Sequence, residues 1–121
     1  MAHQTTYGIV EQFSAAFNRQ DLDTVMALMT QDCVFDNTSP APAGTRYVGQ
    51  DAVRRAFHAF FTSSPHANFR TEEIFAAEDR CVVRWVYEWV DETGAPGYVR
   101  GVDIFRVRDG KIAEKLSYVK G

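Results

Sequence analysis

The chain has 121 residues, enough for one compact domain and too few for two. Hydrophobic residues make up 45% and charged residues 24%, ordinary values for a soluble globular protein. Thirteen Lys and Arg against 16 Asp and Glu leave a net charge of -3, which argues against a nucleic-acid footprint because that needs a basic face.

The elements read off in chain order. The opening stretch MAHQTTYGIVEQF lacks the charged region and apolar core of a signal peptide, and no apolar run approaches the ~20 residues that span a bilayer. A cytoplasmic protein that neither enters nor crosses a membrane is expected. Thr5 or Thr6 is placed to cap a helix in which Ile9, Val10, Phe13, Ala16 and Phe17 form one apolar stripe. Asn18 to Gln20 end it, and Asp21 caps a shorter helix carrying Leu22, Val25, Met26 and Met29. Residues 33–37 read as a short strand and 38–44, with Pro40, Pro42 and Gly44, as a loop. A third helix follows from about Gln50, with Val53, Phe57, Phe60 and Phe61 on one side and Ser63, Ser64 and Pro65 ending it.

The period then changes from 3.6 to 2. Strands are expected at about 67–77, 80–90, 98–108 and 111–120, the last two joined by Asp109-Gly110, the strongest short hairpin signal. Helices followed by an antiparallel meander predict an α+β domain, a single unit over 1–121, with the helices on one face of the sheet. Cys33 and Cys81 stand far apart in apolar runs without metal-ligand spacing, so buried free thiols are expected and a metal site is not.

Strand phase singles out one residue. Val99, Gly101, Asp103, Phe105 and Val107 share a face, on which Asp103 is the one ionisable group of its strand. An ionised carboxylate there needs a partner or shifts its pKa upward to stay neutral, which makes Asp103 a site candidate. The bland reading is a structural aspartate bonded to backbone or Arg. On the next strand Trp85, Tyr87 and Trp89 share one face, and Arg84 and Glu88 share the other, where an ion pair between them is expected. Phe13, Phe17, Phe57, Phe60, Phe61, Trp85 and Tyr87 are core candidates that also suit the wall of an apolar cavity, whereas Tyr47, Trp85, Tyr87 and Tyr118 each add a polar tip to an apolar body. His58 lies beside Phe57 on the third helix; His66 follows Pro65 in a loop, and His3 lies in a terminus expected to fray.

Two stretches, FNRQDLDTVMALMTQDCVFDN at 17–37 and GVDIFRVRDGKIAE at 101–114, resemble the nuclear-transport-factor-2-like superfamily, which includes ketosteroid isomerase, limonene epoxide hydrolase and the SnoaL-like polyketide cyclases. The resemblance implies a cone-shaped α+β fold of three helices on a curved, mostly antiparallel sheet, and sheet-to-sheet homodimers. It places Asp103 at the protonated aspartate of ketosteroid isomerase, a system long used to illustrate pKa tuning, and at the essential acid of the SnoaL-like cyclases. The isomerase's base position falls on Asn37 and its tyrosine on Phe13; neither can do the original chemistry, and Asp36, one residue away, faces the opposite side of its strand. The hydrolase's water-holding Tyr and Asn fall on Phe35 and Asn37, and its Asp-Arg-Asp set on Glu88, Val86 and Ser117, which cannot relay a proton. The cyclases' histidine has no counterpart near Trp89.

The expected function is therefore a pocket for a small, mostly apolar, carbonyl- or hydroxyl-bearing molecule. Any catalysis is of the acid/base kind (isomerisation, cyclisation or dehydration), without cofactor or metal. Asp103 is its polar centre and Asn37 an orienting hydrogen-bonder; Phe13, Phe17, Tyr47, Phe57, His58, Trp85, Tyr87 and Tyr118 contact the ligand. The alternative is a non-catalytic ligand-binding or dimerisation domain. Val82, Val86, Val90, Val102 and Ile104, interspersed with Arg84, Arg100 and Arg106, lie on the opposite sheet face, where a homodimer contact is expected.

Overall fold

The computed structural model describes residues 5–120; His3 lies outside them. Helix α1 (Thr6–Asn18) is capped by Thr5, whose side chain accepts a hydrogen bond from the Gly8 backbone N–H, and its stripe of Ile9, Val10, Phe13 and Ala16 is buried. Helix α2 (Leu22–Ala27) is capped by Asp21, which accepts from the Thr24 hydroxyl and backbone N–H; these bonds hold its carboxyl below the ordinary aspartate value. This helix is shorter than its apolar period predicts. Leu28 closes it, and Met29 opens strand β1 (Met29–Asp36), paired with Ile112 in parallel register while the Ile112 N–H donates to the Leu28 carbonyl at 2.8 Å. Long-range strand pairing overrides the local helical period at that residue, and Asn37 falls just past the strand's end.

Strand β2 (Arg46–Val48), too short to show alternation in the sequence, pairs with β1. Helix α3 (Gln50–Ser63) buries Val53, Phe57 and Phe61. Strands β3 (Asn68–Ala77), β4 (Arg80–Val90), β5 (Pro96–Arg108) and β6 (Lys111–Val119) form the expected meander. All six strands join one sheet in the order β2-β1-β6-β5-β4-β3, antiparallel except where β1 runs parallel to β6. The architecture is α+β, with three helices on one face of a mostly antiparallel sheet. The core lies between them: the Phe13 ring of α1 meets Phe105 of β5 edge-on at 5.5 Å and Phe57 of α3 at 6.3 Å. No helix among the described residues is long and apolar enough to cross a membrane.

The other face carries charge, and there the expected Arg84–Glu88 pair does not form. Four residues apart on one strand means roughly 13 Å, whereas cross-strand neighbours lie much closer. Arg84 instead meets Glu72 and Glu73, each at 3.2 Å, because a bulge in β3 turns both carboxylates towards it; Glu88 faces Arg70 at 3.5 Å.

Both cysteines are buried and unpaired. Burial raises both thiols, Cys81 to about 11. At pH 8 that leaves Cys81 about one part in a thousand thiolate. Ellman's reagent should therefore react with neither cysteine in the native protein and with both in guanidinium; prompt native reaction would contradict the burial.

Candidate functional site

The site is built on the β5–β6 hairpin. Asp109 (φ 53°) and Gly110 (φ 77°) both occupy the left-handed region, as a type I′ turn requires, and set Arg108 opposite Lys111 and Val107 opposite Ile112. Continued without interruption, that register would put Lys115 opposite Ile104, on the outer face. A bulge at Ala113 intervenes, so Arg106 pairs with Glu114, Phe105 with Lys115 and Asp103 with Ser117. One inserted residue thus rotates Lys115 onto the helix-covered face, diagonally across from Asp103.

The two side chains meet there. Lys115 Nζ lies 3.3 Å from Asp103 Oδ2 and donates to Ser117 Oγ at 3.1 Å. Both residues are buried, Asp103 at 8% exposure and Lys115 at 7%. The ammonium is also boxed by ring faces, 4.7 Å from the Phe35 centroid, 5.2 Å from Phe17 and 5.9 Å from Phe57. Of the two ways an apolar face can hold a carboxylate, this fold uses a cationic partner, supplied by the neighbouring strand.

Two lobes of a cavity meet at the pair. One, of about 250 Å³, reaches towards Glu11, Phe13, Ser14 and Thr71. The other, of about 210 Å³, extends past Asn37, Phe57, Phe60, Tyr87, Val99 and Val119. Phe17, Phe69, Trp85, Asp103 and Lys115 line both. Two polar atoms of these shared residues, Asp103 Oδ1 and Trp85 Nε1, are buried without a hydrogen-bond partner. An unsatisfied buried group costs about 1–3 kcal/mol, so an acceptor and a donor are left here at appreciable cost. Gly101 positions the indole. It stands opposite Trp85 in the ladder, and a Cβ there would come within 2.5 Å of Trp85 Cη2 and 2.3 Å of the Tyr118 carbonyl oxygen. Only glycine lets the ring lie against β5.

The fold brings Phe13, Phe17, Asn37, Phe57, Trp85, Tyr87 and Asp103 to the two lobes. Asn37 Oδ1 accepts from the Thr38 N–H at 2.8 Å, which orients the amide and leaves Nδ2 as its donor group. The remaining expected contacts lie elsewhere. Tyr47 stacks on its cross-strand partner Phe35 at 5.9 Å and lines neither lobe. His58 is exposed on α3, although its neighbour Phe57 is buried. Tyr118 is 55% exposed on the outer face, opposite Val102, because the Ala113 bulge that brings Lys115 in turns Tyr118 out. Asp36 is held by Arg46 through two hydrogen bonds of 2.7 and 2.9 Å, which keep its carboxyl below the ordinary value. No group of three His, Cys, Asp or Glu residues suited to a metal occurs among the described residues.

Residues 10–115 match the SnoaL-like domain. Among solved structures, the chain is similar to a nuclear-transport-factor-2-like protein of unknown function from Mesorhizobium loti, with 38% identity over 96% of this chain and 91% of that one and a TM-score of 0.81. It is also similar to a proposed polyketide cyclase from Xanthomonas campestris pv. campestris (25% identity, 95% and 90% coverage, TM-score 0.75). A protein with a ketosteroid isomerase-like fold from Catenulispora acidiphila shares the fold at 17% identity, 94% and 86% coverage and a TM-score of 0.80. No curated protein sequence matches.

Proposed function

The chain belongs to the SnoaL-like domain family, and from that premise we propose that it binds a small, mostly apolar molecule bearing a carbonyl or hydroxyl oxygen and carries out cofactor-independent acid/base chemistry on it. The reaction class is isomerisation, cyclisation or dehydration. One observation carries this reading: Asp103 and Trp85, which line both lobes, each hold a buried polar atom, the acceptor Oδ1 and the donor Nε1, with no hydrogen-bond partner in the protein. A ligand hydroxyl satisfies the first and a ligand carbonyl the second. Asp103 is then the proton acceptor, while the Lys115 ammonium and the indole N–H face the oxygen on which negative charge develops. Similarity to a proposed polyketide cyclase supports the substrate class, since such substrates are carbonyl-rich and largely apolar.

Ligand entry should be visible in Trp85. In a Trp89→Phe background, which leaves Trp85 as the sole indole, 2-naphthol or 2-tetralone should shift Trp85 emission saturably, and decalin should do so far more weakly. No response to either oxygenated ligand would end this reading. A second reading, a non-catalytic binding domain, is favoured by Asn37, which cannot abstract a proton. It predicts the same fluorescence change with no proton transfer.

We also infer a homodimer through the outer sheet face, with a second copy of this chain as occupant. Phe75, Val90, Tyr98 and Tyr118 are exposed there, and the Arg84–Glu72–Arg100 cluster supplies charges of both signs for a two-fold contact. Light scattering at tens of micromolar should give twice the chain mass of 13.7 kDa; a monomer would exclude it. Two unpaired thiols suit a reducing compartment, and we read the setting as cytoplasmic.

A further inference from the structure

We propose that Lys115 is a covalent attachment point for carbonyl-bearing ligands, forming an iminium within the cavity. The inference rests on the preceding reading that the cavity admits a small oxygen-bearing molecule, and adds the bond that molecule makes.

The choice of cation is the first argument. The chain has three lysines, Lys111, Lys115 and Lys120. Lys111 and Lys120 are exposed, and Lys115 alone is buried. Every other ion pair among the described residues uses arginine. Arginine is the better residue for a permanent buried pair, since its guanidinium stays charged and binds a carboxylate in a two-pronged fashion. Here the one enclosed pair uses the one cation that can give up its proton and become a nucleophile.

Geometry supplies the rest. Lys115 borders both lobes, so a carbonyl in either reaches it. Asp103 Oδ2, 3.3 Å from Nζ, is an immediate proton acceptor, and Ser117 Oγ at 3.1 Å fixes the amine from a second side. The ammonium first passes a proton to Asp103. The freed amine adds to the carbonyl carbon, forming the N–C bond. Asp103 returns its proton to the carbonyl oxygen and takes one from nitrogen, giving the neutral carbinolamine. It then protonates the hydroxyl, which leaves as water as the C=N bond forms. The pair begins as ammonium and carboxylate and ends as iminium and carboxylate, the carbonyl oxygen having left as water. The Phe17, Phe35 and Phe57 faces that box the ammonium serve the iminium equally.

Benzaldehyde with sodium cyanoborohydride tests this, the reductant converting an iminium to a stable secondary amine. Among the three lysines, the adduct mapped by peptide mass spectrometry should fall chiefly on Lys115, formed at least about tenfold faster than at Lys111 or Lys120. The Lys115→Arg variant, cationic but without a nucleophilic amine, should lose that adduct and keep slow labelling at Lys111 and Lys120. Saturating 2-naphthol should protect Lys115 alone in the unsubstituted chain, a comparison that holds whether or not the variant folds. If 2-naphthol shifts Trp85 emission but the three lysines label alike, the covalent step is wrong and the binding reading stands. If neither 2-naphthol nor benzaldehyde affects Trp85 and the lysines label alike, both are wrong.

Discussion

Replacing Lys115 with Met should cost about 3–5 kcal/mol of unfolding free energy, read from urea melts, the loss typical when one partner of a buried ion pair is removed. The side chains are only 9% and 11% exposed, so solvent cannot compensate the carboxylate left behind. Asp103 Oδ2 would lose its cation and Oδ1 has no bond to strengthen. The double variant Asp103→Leu/Lys115→Met should recover most of that loss, because a buried pair exchanged for apolar groups of similar volume is often neutral. A Lys115→Met cost below about 1 kcal/mol would mean that the pair is solvated as surface pairs are.

That pair also marks where the sequence stops being legible. Asp103 is recognisable from alternation alone, since period 2 within β5 depends only on that strand. Its partner is not, because finding Lys115 requires the register between two strands, and the Asp109-Gly110 turn taken at face value puts Lys115 on the wrong face. The Ala113 bulge has no distinctive residue to announce it: alanine suits a regular strand as well as a bulged one. The same bulge accounts for Tyr118, which an uninterrupted hairpin would turn inward. The meander and the helices read well because each repeats its period over nine or more residues, apart from α2, with six. Strand β2, with three, and Met29, which satisfies a helical and a strand pattern at once, did not. Local periodicity thus gave the architecture, whereas the site's electrostatics depended on a single insertion in the pairing.

What Asp103 does with the proton is decided by substitution at that position. If its carboxylate is the base, Asp103→Asn, which is nearly isosteric but cannot accept a proton in this way, should slow the exchange of 2-tetralone α-hydrogens for deuterium, followed by NMR, by about 10²–10⁴-fold. The Asn variant should still bind 2-naphthol within a few-fold of the unsubstituted protein, as its amide oxygen can accept the naphthol hydrogen at Oδ1. Asp103→Leu removes that acceptor and should weaken 2-naphthol by about 1.5–3 kcal/mol, a factor of about 10 to 150, the value of a hydrogen bond to a charged group. Binding should therefore separate Leu from Asn, whereas exchange should separate Asp from both. Each variant also leaves Lys115 without its countercharge, so its stability must be measured first and ligand binding compared well below the unfolding transition. Should Asp103→Leu bind 2-naphthol normally and lose only stability, the carboxylate serves the ion pair alone. If instead Asp103→Asn exchanges 2-tetralone as fast as the unsubstituted chain while Leu binds poorly, Asp103 recognises oxygen without moving a proton. The non-catalytic binding domain is then the correct reading.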